Sequence, residues 1–191
     1  MKKLCSLILM LCAFTSPAVT AAETDDELGL SLELQTIRNN PTRITAAYEK
    51  SFGDSSFGLY AVVSKESDGY RQFYAGPKWR PVEWLEVGVG IGREVAPDEL
   101  STVRRNAFFA VDYEKVFVFG SFESGGSGRW HTLTAVYAVD ERFSVGAMKE
   151  TGLGFGLRLE YNIKKNVQLW GAILRSKDTG TISTLAIKFS F

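Results

Sequence analysis

The chain is expected to fold as one antiparallel, up-and-down transmembrane β-barrel of about twelve strands, with eight to ten strands as the smaller alternatives. Three observations carry that expectation. Apolar and polar residues alternate with a period of two in one short segment after another. No stretch beyond Phe14 is long and apolar enough for a membrane helix, and alternation is the pattern by which a barrel crosses a bilayer without a hydropathy peak. Turn-forming residues punctuate the segments at short intervals, and no convincing helix interrupts them.

The first segment sets Leu28, Leu30, Leu32 and Leu34 against Gly29, Ser31, Glu33 and Gln35, and breaks at Arg38-Asn-Asn-Pro-Thr42. Arg43 to Ser51 runs back, and Phe52-Gly-Asp-Ser-Ser56 turns the chain into a third strand marked by Phe57, Leu59, Ala61 and Val63. Asp68-Gly69 is a tight-hairpin signal. The fourth strand, Tyr70 to Trp79, has two plausible faces, Tyr70/Gln72/Tyr74 or Arg71/Phe73/Ala75, and is expected to end at Arg80-Pro81 because proline gives a ladder no donor.

In the fifth strand Leu85, Val87, Val89 and Ile91 face out while Glu86, Gly88, Gly90 and Gly92 face in, and residues 93–102 read as the longest loop. Strands follow at Val103 to Tyr113, Val116 to Phe122, Arg129 to Ala138, Arg142 to Lys149, Leu153 to Tyr161 and Val167 to Leu174. The last runs from Thr181 to Phe191, with Leu185, Ile187, Phe189 and Phe191 on one side and Thr184, Ala186, Lys188 and Ser190 on the other. An even strand count puts both termini at one end, and the more polar, glycine-rich connections then all fall at the other. Phe52, Phe57, Trp84, Tyr113, Phe117, Phe143, Tyr161, Phe189 and Phe191 gather near the end that holds the termini, as an interfacial girdle would.

A strand that stops on phenylalanine, behind a secretory leader, resembles the bacterial outer-membrane β-barrel class, small porin-like members included. The leader is expected over residues 1–22: Met1-Lys2-Lys3, the apolar run Leu4 to Phe14, then small residues to Ala22, too short to span a bilayer. The barrel domain is then 23–191. The resemblance implies export to the outer membrane, contact with its lipid and lipopolysaccharide, and a monomer. It also implies that Leu185, Ile187, Phe189 and Phe191 form the barrel-closing signal read by the assembly machinery.

Composition narrows the function. Cys5 and Cys12 both lie in the leader, so no disulfide is expected in the mature chain. The 22 bases balance the 22 acids, and loss of Lys2 and Lys3 leaves a slight acidic surplus. With no basic patch, nucleic-acid binding has no support. The face expected to point inward carries Glu33, Arg43, Glu49, Glu86, Arg104, Asp112, Arg142, Arg158, Glu160 and Lys188, of mixed sign. Buried charges need partners or water, so these either line a wet channel and set its selectivity or close the lumen as a salt-bridge network. Glu86, Arg142, Arg158 and Glu160 are the foremost selectivity candidates.

Other chemistries are weaker. Gly88-Val-Gly-Ile-Gly92 lacks the helix and spacing of a nucleotide loop. His131 is the only histidine, and Ser127, Thr132, Thr134 and Glu123 near it spell no nucleophile motif, so a lipid-hydrolysing role is the minor alternative to an interfacial or lumen histidine. No metal or cofactor site is expected, with one histidine and carboxylates scattered over separate strands. Asp98 and Glu99 could meet a divalent ion bridging lipopolysaccharide. The expected function is therefore a small porin-like channel for ions or small polar solutes. The alternative is a plugged structural barrel that uses loops 93–102 and 123–128.

Overall fold

Period-two alternation leaves each strand with one apolar and one polar face, and a sheet of such strands satisfies every backbone donor in lipid only by closing on itself. The computed structural model, which describes residues 29–97, 99–178 and 180–191, shows that closure. The expected leader 1–22, residues 23–28 of the barrel domain and Asp98 lie outside the described residues. Twelve antiparallel strands follow one another round the wall: β1 (Leu30–Ile37), β2 (Arg43–Ser51), β3 (Phe57–Glu66), β4 (Arg71–Val82), β5 (Leu85–Val95) and β6 (Thr102–Tyr113). The second half is β7 (Val116–Gly125), β8 (Gly128–Ala138), β9 (Phe143–Glu150), β10 (Gly154–Lys164), β11 (Val167–Ser176) and β12 (Gly180–Ser190). No helix occurs among the described residues.

The last strand closes the wall against the first. Ser31 lies opposite Ser190 and Leu34 opposite Ile187, and the Phe191 N–H donates to the Leu30 carbonyl at 2.8 Å. Leu185, Ile187 and Phe189 point outward from β12, while Ile182, Thr184, Ala186 and Lys188 point in.

The fourth strand settles the register that the sequence leaves open. Gln72, Tyr74 and Lys78 turn inward and Phe73, Ala75 and Trp79 outward. β4 also runs on past the expected stop to Val82. Its ladder with β5 is interrupted where Pro77 has no N–H to give, and it slips by one residue between Trp79 and Val82, beside Pro81.

The outer surface is apolar around its middle, with Val63, Phe73, Ile91, Leu157 and Ile173 all more than half exposed. A water-soluble barrel does not present such a band, and the band identifies the chain as a transmembrane barrel. Outward aromatics flank it at the end bearing the termini: Phe57 stacks on Trp79 with ring centroids 6.1 Å apart, and Trp84 meets Tyr113 edge-on at 6.4 Å. Phe117 departs from the expected girdle. It lies opposite Asp112, on the inward parity of β7, so it belongs to the lumen.

Candidate functional site

Inward side chains of all twelve strands make the lumen, and its charges fall into two groups of clusters. One lies at the end of the connections β1–β2, β3–β4 and β5–β6 (the loop end). The other lies at the end that bears the termini (the turn end).

At the loop end Arg104 on β6 donates through Nη1 to Glu94 Oε2 and through Nε to Glu123 Oε2, both at 2.9 Å, and all three residues are almost wholly buried. Glu94 is the hub. Its carboxylate accepts from Tyr70 Oη at 2.8 Å, Ser127 Oγ at 2.6 Å, the Ser127 N–H at 2.9 Å and Thr102 Oγ1 at 3.1 Å. Tyr74 Oη donates to Glu123 at 3.2 Å. Every oxygen of this buried acid thus has a partner, which is what makes its burial tolerable.

Arg43 forms the second loop-end cluster, and it crosses the barrel. From β2 its guanidinium donates to Glu66 on neighbouring β3 and to Glu150 on β9, each at 2.8 Å, and it stands 5.8 Å from the centre of the Trp130 ring on β8. β9 and β8 are on the far side of the wall from β2.

At the turn end Lys78 bridges Glu49 at 2.7 Å and Glu86 at 3.2 Å, and Arg80 also donates to Glu86 at 2.9 Å. Farther round, Arg158 donates to Glu160 at 2.6 Å and lies 3.8 Å above the Trp170 ring, whose Nε1–H donates to Glu33 at 2.9 Å.

Two different walls face each other between these groups. β1 and β9 to β12 contribute one buried apolar cluster, Ile37, Met148, Trp170, Leu174 and Ile182, which Leu153 caps, together with the buried Gln35 amide donating to Thr184 Oγ1 at 3.1 Å. β2 to β8 contribute hydroxyls and amides joined in relays, Tyr60 Oη to Asn106 at 2.7 Å, Asn106 to Ser121 at 2.8 Å, and Thr45 to Ser64 at 3.2 Å, beside the rings of Phe108 and Phe119. Mid-lumen side chains pack against one another, Tyr60 and Ser121 each being 4% exposed and Leu174 0%. A cavity of about 320 Å³ opens at the turn end beside Lys78, Arg80 and Glu86. Another of about 170 Å³ opens at the loop end beside Arg43, Glu66, Trp130 and Glu150.

The inward glycines of β5 are filled positions. A Cβ at Gly88 would run into the ring of Phe108, which lies opposite it on β6, and one at Gly90 would meet Tyr60 Oη. Phe108 in turn packs edge-on against Tyr60, with centroids 4.8 Å apart. The missing side chains make room for aromatic rings inside the barrel.

Of the inward candidates, Glu33, Arg43, Glu49, Glu86, Arg104, Arg158 and Glu160 lie on the inner face in the pairs described. Lys188 lies there opposite Glu33, and Asp112 lies there near the turn end. Arg142 does not. It sits exposed in the turn before β9, which begins at Phe143, and its N–H is held by Asp140 Oδ1 at 2.8 Å.

Sequence reading misses Lys78, Glu94, Glu123 and Glu150. It ends three strands too early, so these acids fall into loops, whereas β5, β7 and β9 continue to Val95, Gly125 and Glu150. The parity signal is present: Glu94 continues the inward series Glu86, Gly88, Gly90, Gly92. Ser127, which the sequence reading puts in loop 123–128, is tied to Glu94. Glu99 is exposed in the β5–β6 connection.

His131 faces outward on β8, and its Nδ1 is 2.9 Å from Thr151 Oγ1. The same hydroxyl accepts from the His131 N–H at 2.9 Å, so Thr151 ties the β9–β10 turn to β8. No acid or amide among the described residues orients the imidazole, and the arrangement lacks the third member of a hydrolytic triad.

No family model matches the chain, and no curated protein matches it in sequence. Solved structures do match in fold. The KdgM porin in complex with disordered oligogalacturonate superposes with a TM-score of 0.59 at 12% identity, covering 85% of this chain and 98% of that one. The Acinetobacter baumannii outer membrane protein Omp33 gives 0.55 at 10% identity over 86% of this chain and 99% of its own. The NanC porin gives 0.53 at 8% identity over 85% and 98%. These likenesses place the fold of this chain among the small porin barrels of bacterial outer membranes.

Proposed function

We propose that the chain is an outer-membrane barrel of porin type that passes small ions and small polar solutes. The loop end then faces the outside of the cell and the turn end the periplasm. The carrying observation is the polar side of the lumen, where β2 to β8 present hydrogen-bonded hydroxyl and amide side chains between a charged cavity at one mouth and a charged cavity at the other. The packed middle, with Arg43 crossing the loop-end mouth, describes a shut arrangement. It also supports the second reading, a plugged barrel that acts through its loops.

Charge sets the sign of selectivity. Inward carboxylates at the loop mouth, Glu66, Glu94, Glu123 and Glu150, outnumber the inward cations Arg43 and Arg104, so the external mouth favours cations. Planar-bilayer recording of the refolded chain tests both statements. Discrete steps with a cation-sign reversal potential, shifted towards zero by Glu66→Gln and altered by Glu86→Gln, support the channel. Well-folded, heat-modifiable protein that stays silent at every voltage sinks it in favour of the plugged barrel.

A further inference from the structure

Charge is sorted by face at the loop end. The strand carboxylates there point inward, whereas Lys65, Arg71, Arg93, Arg105, Arg129, Lys149 and Arg175 all point outward, exposed, close to the loop ends of their strands. Among the described residues no ion pair or side-chain hydrogen bond holds any of these cations. The other end of the outer surface differs: its belt is aromatic, and its charges, such as Lys50, Glu83, Glu114, Lys115 and Lys165, are of both signs.

Three of the arginines converge. Arg105 lies opposite Ser124, and Ser124 lies opposite Arg129, so two arginines flank one serine on alternate strands, their backbones about 10 Å apart by sheet spacing. Arg93, opposite Val103 and two residues beyond the partner of Arg105, is their diagonal neighbour. Directly below, towards mid-membrane, the outward face is Ile91, Ala107 and Phe122, with Phe122 stacked on Phe109 at 6.4 Å. The sequence of surfaces is fork-shaped cations above a flat apolar platform.

We infer that this cluster seats the phosphate of an anionic lipid headgroup, with the acyl chains of the same lipid lying on the Phe109–Phe122 platform. A phosphate above Ser124 reaches both flanking guanidinia, which match its oxygens in bidentate geometry, and the Ser124 hydroxyl adds a third donor. Long arginine stems reach from an apolar wall to the headgroup level without burying charge. The ring of further cations continues the same attraction round the barrel. That the lipid lies in the outer leaflet rests on the proposed function; the phosphate seat does not.

The test uses the full chain refolded in detergent, with bisphosphorylated lipid A and its dephosphorylated form as probes and lipid occupancy read by native mass spectrometry. Binding of the phosphorylated probe is expected to fall on the order of a hundredfold in the triple variant Arg93→Gln/Arg105→Gln/Arg129→Gln, about fivefold per cation. Removal of the phosphates should give a similar loss. The turn-end triple Lys50→Gln/Lys115→Gln/Lys165→Gln is expected to bind as wild type. Equal binding of both probes, or a folded loop-end triple that binds as wild type, overturns the seat. Should that triple fail to fold, Arg105→Gln and a salt titration of the wild type decide: affinity that does not fall with salt refutes it. Conductance is read on the same samples, so loss of the channel reading and loss of the phosphate seat are separate outcomes.

Discussion

Arg43 and Glu150 meet at 2.8 Å although their strands stand on opposite sides of the barrel, so one ion pair spans the loop-end mouth. Its acid is buried with a side chain 2% exposed, while its guanidinium also holds Glu66 on the near wall. Removing the bar is therefore expected to widen the mouth. Arg43→Ala should raise conductance or open probability in planar bilayers, and the exchanged pair Arg43→Glu/Glu150→Arg should return it towards wild type. Unchanged conductance in Arg43→Ala would show that the obstruction lies deeper.

The Glu94 hub makes a stability prediction. Arg104→Met leaves Glu94 and Glu123 buried without their shared cation, which costs about 3–5 kcal/mol when one member of a buried pair is lost. Urea unfolding in lipid vesicles should show that drop. Glu66→Gln, whose partner Arg43 keeps Glu150, should cost far less.

Gly88 and Phe108 make a packing prediction. Gly88→Val drives a branched side chain into the Phe108 ring and should destabilise the barrel by roughly 1–3 kcal/mol. Phe108→Ala added to Gly88→Val should recover part of that loss. An additive double variant would mean that the two positions do not compete for one space.

Asp140 makes a pH prediction at the β8–β9 turn, outside the wall. Its carboxylate accepts the N–H groups of Arg142 and Phe143, both at 2.8 Å, and these bonds hold its pKa below the usual 3.8. The sign follows from linkage: a depressed folded pKa adds stability that is complete above the unfolded value and is lost as pH falls through the folded one. Asp140→Asn should therefore unfold with a shallower pH dependence below about pH 4, measured by acid titration of tryptophan fluorescence. An identical acid profile would show that the turn bonds do not couple to folding.

Strand number, order and, outside β4, facing were legible because one rule, alternation, governs both the membrane face and the lumen, and breaking it moves a whole side-chain set to the wrong solvent. β2, Arg43–Ser51, agrees with its sequence reading to the residue. Ends were less legible. Glu94, Glu123 and Glu150 resemble loop residues by chemistry, and only the partners that the fold brings to them, Arg104 from β6 and Arg43 from across the barrel, make a strand position tolerable for each. Phe117 misled for a related reason: an aromatic near a turn suits either face, and a run such as Val116-Phe-Val-Phe119 is apolar on both. The Arg43–Glu150 pair was beyond reach, since no local pattern reports which strands face each other across a closed sheet.

The hydrogen bond from the Phe191 N–H to the Leu30 carbonyl ties the end of β12 to the start of β1. The wall is therefore finished only when β12 has docked on β1, and until then both outer strands offer rows of unpaired amides that neither lipid nor solution leaves alone. Folding is all or nothing by construction. Loss of β12 as a whole would strip the seam of its partner and leave an adhesive, protease-sensitive ribbon rather than a slightly narrower pore.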